Sequence, residues 1–367
     1  MTGGLRVMVD ASIVKPQQTG IATYTRSLTA ALSQHLEVVV LTSESSRFAE
    51  LDVEVVALPK WTQGYVARQV WRGAKLRSLA HAQNVDIVII PAPEVPLARL
   101  AVPLVCVVYD VGPLVKPQFF PWSKRVRFRA LIGTLRRATA IVAISQSTAR
   151  DLQGFLGGDD TPVAVIGAGV EQISRLGERL HSSSVSPYVL YVGMSLPHKN
   201  LQTLVEAARL VPGWRIVLAG PGTERYDSSF ENVSGMGWVS SEVLCELMTG
   251  ADLIVNPSLY EGLGLPALEA MAMGRPVLLS DIAVFREVAG DAAAYVVEPR
   301  SPSAWADAIR ALVGDRVRLA ELAAAGHERA QMWSWEQAAD QFVALFDRLI
   351  DERAKQTHSA TNKVVYE

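Results

Sequence analysis

Cysteine is nearly missing from this chain. There are two, Cys106 and Cys245, each within an apolar stretch. Two isolated thiols in such surroundings exclude a disulfide framework and a cysteine metal cage, and they fit reduced, buried side chains. Histidine is also scarce: six residues, scattered, with no His-x-x-x-His pair. An excess of charge is lacking as well. The net charge of −2 excludes the basic footprint of general nucleic-acid binding. No apolar run approaches the roughly 20 residues of a membrane span. The opening Met-Thr-Gly-Gly-Leu-Arg leads straight into a strand and has no apolar core of a secretion signal. No repeat recurs at periods of about 20–50 residues. These absences predict a soluble cytosolic protein and leave contact with the inner face of a membrane open.

What is present is a rhythm. Short apolar runs recur, each followed by a turn and a helical pattern. The first set is Leu5–Val9, Val38–Leu41, Asp86–Ile90, Leu104–Val108, Ala140–Ile144 and Val163–Ile166. The second is Tyr188–Val192, Arg215–Ala219, Ala251–Val255, Val277–Leu279 and Ala294–Val297. Runs apolar on both faces suit buried parallel strands, and their alternation with helices predicts two doubly wound α/β halves. With 367 residues, 49% of them apolar, each half can bury a core. The serine-rich, apolar-poor stretch Arg175–Ser186 is the expected linker, dividing the chain into domains of about 1–172 and 186–335. An amphipathic helix follows over about 336–350, then a polar tail over 351–367 that is expected to fray. In such sheets ligands bind beyond the carboxyl ends of the strands, so the useful residues belong on the loops that follow them.

The most informative of those loops is Asn256-Pro-Ser-Leu-Tyr-Glu-Gly-Leu-Gly-Leu-Pro-Ala-Leu-Glu-Ala-Met-Ala-Met-Gly274. The strand Leu253–Val255 enters a turn with one acid, Glu261, and two glycines, Gly262 and Gly264. Pro266 opens a helix, where proline loses no hydrogen bond. Glu269 is expected in that helix's first turn, with seven residues between it and Glu261. Glycines ahead of a helix start let a ligand approach bare amides, and the positive helix end favours phosphate. The segment therefore reads as a phosphate seat with two carboxylates placed for hydroxyl groups, the combination a nucleotide sugar offers. The competing view is a plain strand-turn-helix junction with Glu269 capping the helix.

The whole string resembles the Glu-x7-Glu signature of retaining glycosyltransferases of family 4. That resemblance implies the GT-B fold: two Rossmann-like domains facing a cleft. It also implies that Glu261 lies beside the donor sugar and that Glu269 binds ribose hydroxyls, with the helix-start amides at Gly262, Gly264 and Leu265 meeting phosphate. The segment Tyr191-Val-Gly-Met-Ser-Leu-Pro-His-Lys-Asn-Leu201 is similar to the family's Gly-x-x-x-Pro-Arg-Lys-Asn motif. It gives Gly193 and Lys199 places at the diphosphate, with His198 where a second basic residue often stands and Met194 where many members carry arginine. Ser234-Gly-Met-Gly-Trp-Val239 resembles the family's nucleobase segment and implies a base pocket lined by Gly237 to Val239. Gly20, in Thr19-Gly-Ile-Ala-Thr-Tyr, matches a family glycine that reaches donor phosphate or acceptor; a plain helix start is the other view. Asp110, in Val107-Val-Tyr-Asp-Val-Gly, matches an aspartate that contacts the sugar or orients the acceptor hydroxyl; a turn-capping aspartate competes. In Ile144-Ser-Gln-Ser-Thr, Ser145 ends a strand and Ser147 is the expected helix cap.

The resemblance implies transfer of a hexose, from GDP-mannose by preference, to a saccharide or lipid-linked hydroxyl. No cofactor and no metal are expected; Asp159-Asp160 lacks the spacing of an Asp-x-Asp metal motif. Two rivals stay open: a pseudo-glycosyltransferase or epimerase on the same fold, and a non-catalytic nucleotide-sugar-binding subunit. One surface stands apart. Residues 122–137 read as a basic amphipathic helix, and Trp61, Tyr65, Arg68, Trp71, Arg72, Lys75 and Arg77 form a second basic-aromatic set. Such surfaces suit anionic membranes or lipid acceptors, or are ordinary surface with snorkelling arginines.

Overall fold

A computed structural model describes residues 4–15, 20–96, 98–158, 161–170 and 187–364, the last nine of these as backbone only. The expected linker Arg175–Ser186 and the Asp159-Asp160 pair lie outside them. The chain divides into two compact units: residues 1–111, 123–169 and 335–367, and residues 112–122 and 170–334.

In the first unit β1 (Arg6–Asp10) leads into α1 (Gly20–Leu32), followed by β2 (Glu37–Thr42) and β3 (Glu54–Ala57). Then come α2 (Tyr65–Trp71), one wide π-helical turn over Arg72–Leu76, α3 (Arg77–Ala82), β4 (Ile87–Ile90) and β5 (Leu104–Val108). A short α4 (Gly112–Val115) and α5 (Trp122–Leu135) lead to β6 (Ala140–Ala143), α6 (Gln146–Leu156) and β7 (Val163–Val165). The sheet is parallel throughout, in the order β3-β2-β1-β4-β5-β6-β7. Its central strands are buried on both faces, as helices on either side require. Cys106 sits in β5 with no exposed surface, and burial pushes its thiol up to about 12.

The second unit has β8 (Tyr188–Val192), α7 (Leu201–Ala208), β9 (Arg215–Ala219), β10 (Val233–Gly237) and α8 (Ser241–Gly250). It continues with β11 (Leu253–Asn256), α9 (Leu265–Ala272), β12 (Val277–Ser280), α10 (Ala283–Ala289) and β13 (Ala294–Val296), then α11 (Pro302–Val313) and α12 (Arg316–Ala330). Its parallel sheet runs β10-β9-β8-β11-β12-β13. Cys245, in α8, is fully buried. Two parallel doubly wound sheets make the fold GT-B, as the resemblance implied.

The structure departs from the sequence reading in several places. β3 and β10 were not anticipated. Both are edge strands, one with glutamate and half-buried valines and one with two glycines, so neither carries the apolar run of an inner strand. The last helix, α13, spans Trp335–Val364 instead of ending near 350; Glu352, Arg353, Ala354 and Lys355 are strong helix formers that carry it on without packing. Its buried Phe342, Leu345, Phe346 and Leu349 form the docked face, and Trp335 meets Tyr24 of α1 edge-on at 5.1 Å. The basic helix stops at Leu135 rather than 137, and its apolar residues do not form one stripe: its first two turns are exposed nearly all round, and Leu131, Ile132 and Leu135 are its buried residues. Ser145, not Ser147, caps α6, its hydroxyl accepting from the Thr148 amide at 3.0 Å.

The second basic-aromatic set is also not all surface. Arg68 and Arg72 point inward while Val66 and Val70 are 71% and 63% exposed. Arg72 Nε donates to Asp10 Oδ2 at 2.7 Å and its Nη1 to Glu94 Oε2 at 2.9 Å. Arg68 forks both Glu94 oxygens at 2.9 Å. Burial works against the Asp10 charge, but the Arg72 guanidinium and the Ser12 donors hold its carboxyl below the usual aspartate range. This chain of charges occupies the carboxyl ends of β1 and β4, the neighbours at which the strand order of the first sheet reverses.

Candidate functional site

In the second sheet the order reverses between β8 and β11. The loops after those two strands hold Lys199 and Glu261, and the structure brings the two side chains together: Lys199 Nζ donates to Glu261 Oε1 at 2.6 Å. Both stay partly open to solvent, 18% and 10% exposed. Ser258 Oγ lies 2.8 Å from the same carboxylate oxygen and 2.7 Å from Asn256 Oδ1, so its single proton serves one acceptor at a time. Asn256 and Ser258 were not singled out from sequence. Their signal was there: a polar residue ending an apolar strand, with a hydroxyl two positions on, is an Asx-turn pattern.

Gly264 is the residue that makes this geometry possible. Its φ is +85°, and a Cβ there would stand 2.5 Å from Phe285 Cε1. It precedes α9 with no side-chain cap, and Leu265 and Pro266 begin the helix. Among the described residues the Gly264 and Leu265 amides donate to no backbone acceptor outside the helix, and open amides at a helix start suit an anion. Gly262 lies in the same turn. Glu269 is the fifth residue of α9, one turn later than expected, so the capping view of it fails. Its side chain keeps some surface, yet burial pushes the carboxyl up to about 7.

Gly193 follows β8. A Cβ there would press on the Tyr191 hydroxyl at 2.8 Å, and its carbonyl lies against Gly220 so closely that a Cβ on Gly220 would overlap it. The two loops thus meet backbone to backbone. Met194, where many family members carry arginine, is exposed. His198 is next to Lys199; its carbonyl accepts the Leu259 amide at 2.8 Å, and its ring stacks on Phe120. Gly237 ends β10 with both backbone groups in use: its amide donates to Thr223 Oγ1 at 3.0 Å and its carbonyl accepts from Gly220 at 2.7 Å. The next residue, Trp238, is 63% exposed.

The remaining two predicted residues lie in the first unit. Asp110 follows β5 and is half-buried, next to Tyr109, whose ring meets Tyr24 edge-on at 5.0 Å. Gly20 is the first residue of α1 and exposed, with open space around a built Cβ. Among the described residues no cluster of three metal-ligating side chains occurs, and no helix is long and apolar enough to cross a membrane.

Comparison with known proteins supplies the family. Residues 18–172 match the family model "Glycosyltransferase Family 4", and residues 186–315 match "Glycosyl transferases group 1". The D-inositol 3-phosphate glycosyltransferase of Nocardia farcinica is 30% identical over 248 residues, 60% of this chain and 54% of that protein. The O-antigen chain mannosyltransferase B of Escherichia coli is 34% identical over 178 residues, 44% of this chain and 46% of that one. The chain thus spans about half the length of the curated relatives it matches. Among solved structures, Anabaena Alr3699/HepE in complex with UDP and glucose has a TM-score of 0.69 at 18% identity, covering 94% of this chain and 99% of that one. With one model on each half and the GT-B fold across both, the chain belongs to the family 4, group 1 glycosyltransferases.

Proposed function

We propose that this chain is a retaining, metal-independent glycosyltransferase that moves a hexose from a nucleoside diphosphate sugar to a saccharide or lipid-linked hydroxyl, in glycan or glycolipid synthesis. The observation that carries it is the Lys199–Glu261 pair at the strand-order reversal, beside the bare helix start at Gly264. As the bond between the sugar's anomeric carbon and the phosphate oxygen breaks, positive charge grows on the ring and negative charge on the diphosphate. Lys199 and the amides at Gly264 and Leu265 stabilise the latter. Glu261 already accepts from Lys199 and Ser258, which makes it a poor nucleophile and a better electrostatic partner for the ring. The acceptor hydroxyl then attacks on the face the phosphate leaves, giving its proton to the departing phosphate oxygen, and the configuration is retained. Asp110 orients that hydroxyl. Glu269 takes the ribose hydroxyls.

Mannosyl relatives favour mannose and hence GDP-mannose; the UDP complex of the Anabaena neighbour supports UDP as the alternative base. We place the protein at the cytoplasmic face of a membrane, touching it through exposed Trp122 and Val126 among Lys124, Arg125, Arg127 and Arg129.

The test is a thermal-shift screen against GDP, UDP, ADP and TDP and their sugars without metal, alongside Glu269→Ala. One nucleotide should raise the melting temperature selectively, and the shift should vanish in the variant. With that donor, Glu261→Ala should lose transfer by at least about a hundredfold, the scale of one preorganised electrostatic group, while still binding nucleotide. Normal turnover in Glu261→Ala would sink the assignment.

A further inference from the structure

Lys199 and Glu261 balance each other's charge in the ligand-free protein, whereas a nucleoside diphosphate brings a negative charge on each phosphate. A second cation stands one loop away. Arg225 belongs to the short 3₁₀ turn Glu224–Tyr226 between β9 and β10. It reaches across to the loop after β8, where its Nη2 donates to Ser195 Oγ at 2.5 Å and lies 3.3 Å from the Ser195 carbonyl. Ser195 precedes Lys199 in that same loop. The Ser195 amide in turn donates to the Pro221 carbonyl of the β9 loop at 2.9 Å, so the two loops are tied together on both sides of the arginine. The guanidinium also lies over the Tyr226 ring, 4.9 Å from Cζ to the ring centre.

The acids on either side of Arg225 are turned to β10. Asp227 Oδ1 accepts the Gly235 amide at 3.0 Å, and the Glu224 carboxylate lies against Gly237. Among the described residues the hydrogen bonds of Arg225 go to a serine and to the Tyr226 hydroxyl, all of them from Nη2. No carboxylate neutralises it, and its Nε and Nη1 keep their N–H groups for a ligand. The side chain is exposed, yet anchored at one nitrogen, and a planar guanidinium so anchored loses little freedom when it meets an anion. Its neighbour leads back to the site. The Tyr191 hydroxyl is held well above the ordinary tyrosine range, by burial first and then by Glu261 and Tyr226 close by. Arg225, Tyr226, Tyr191 and Glu261 thus link the loop after β9 to the loop after β11.

We propose that Arg225 is a donor-binding residue, which supplies the diphosphate with a second cation beside Lys199 from the loop after β9. The inference rests on the reading of the second unit as a diphosphate seat. It adds to that seat a residue that belongs to none of the motifs by which the seat was read in the sequence.

The test is calorimetry of nucleotide binding without metal, with GDP or UDP, whichever the wild type binds, at low and high salt. Arg225→Gln should weaken binding about tenfold at low salt, the low end for one charge-assisted hydrogen bond, since the site is open to solvent. Its affinity should also fall less steeply with added salt than that of the wild type, because one screened ion contact is gone. Arg225→Lys should restore the steeper salt dependence. Wild-type affinity in Arg225→Gln, or a loss with the salt dependence unchanged, overturns the inference. The seat then still stands on Lys199→Gln, which should lose binding in either case. A wild type that binds neither diphosphate overturns the seat and the inference together. Melting curves of each variant confirm that the fold is intact.

Discussion

Glu269 shows what one residue can carry. Its carboxyl is pushed up to about 7 by burial, whereas an unfolded glutamate ionises near 4.3. Between those values the unfolded state gives up a proton that the folded state keeps, so the residue's contribution to stability falls as pH rises through this window and is flat above about 7. Glu269→Gln removes the penalty. The ligand-free variant should be about 1–3 kcal/mol more stable at pH 8 than the wild type and equal to it near pH 4, measured by denaturant titration at both values. Donor binding should move the other way. In the role we propose for Glu269, ribose hydroxyls donate to its ionised carboxylate, so affinity should rise with pH up to about 7 and level off, and the glutamine variant should lose that slope. Glu261, Glu269 and Lys199 were legible because each closes a distinctive string. Arg225 was not, because its partner Ser195 lies in another loop and a single arginine after a turn leaves no local spacing to read.

At the scale of the element, α2 runs against the usual pattern. It turns arginine inward and valine outward. Hydrophobic periodicity is blind to such a helix, since Arg68 and Arg72 carry the helical spacing that apolar residues normally carry; their acidic partners, Asp10 and Glu94, come from other elements. Arg72→Leu would leave Asp10 and part of Glu94 buried without a counter-charge. We expect a loss of about 3–5 kcal/mol, read by chemical denaturation, with much of it recovered when Asp10→Asn and Glu94→Gln are added. Because the Asp10 carboxyl is held below the usual range, its stabilising share is present above about pH 4 and disappears only as pH falls through that lowered value. α9 is the opposite case, open in the sequence because its glycine turn and proline announce it. Gly264→Ala should cost both stability and nucleotide binding, since the new methyl meets Phe285 in a left-handed backbone; unchanged melting and affinity would refute the steric account.

The whole molecule is two parallel sheets whose inner strands, and the edges β7 and β13, were visible as apolar runs, and whose other edges, β3 and β10, were not. The units are not contiguous in sequence: α13 returns to the first, and residues 112–122 join the second. Truncation separates the two parts of α13. Removal of residues after Asp351 should leave the melting temperature within about a degree, because Glu352 to Lys355, the first residues lost, are exposed and exposed residues contribute little. Removal from Trp335 onward strips Phe342, Leu345, Phe346 and Leu349 from the first unit. It should abolish that unit's cooperative transition in a calorimetric scan, at a cost of about 2–5 kcal/mol for each large side chain lost from the core.

The two cysteines have a practical consequence. Both thiols are sealed inside the fold, one in each unit, and so are out of reach of an alkylating reagent under native conditions. A cysteine placed at exposed Val66 in the first unit or Val317 in the second would then be the single address for a fluorophore. One such address in each unit would make the natural sequence, without any cysteine removal, a two-colour ruler for following how the distance between the halves answers to donor and acceptor.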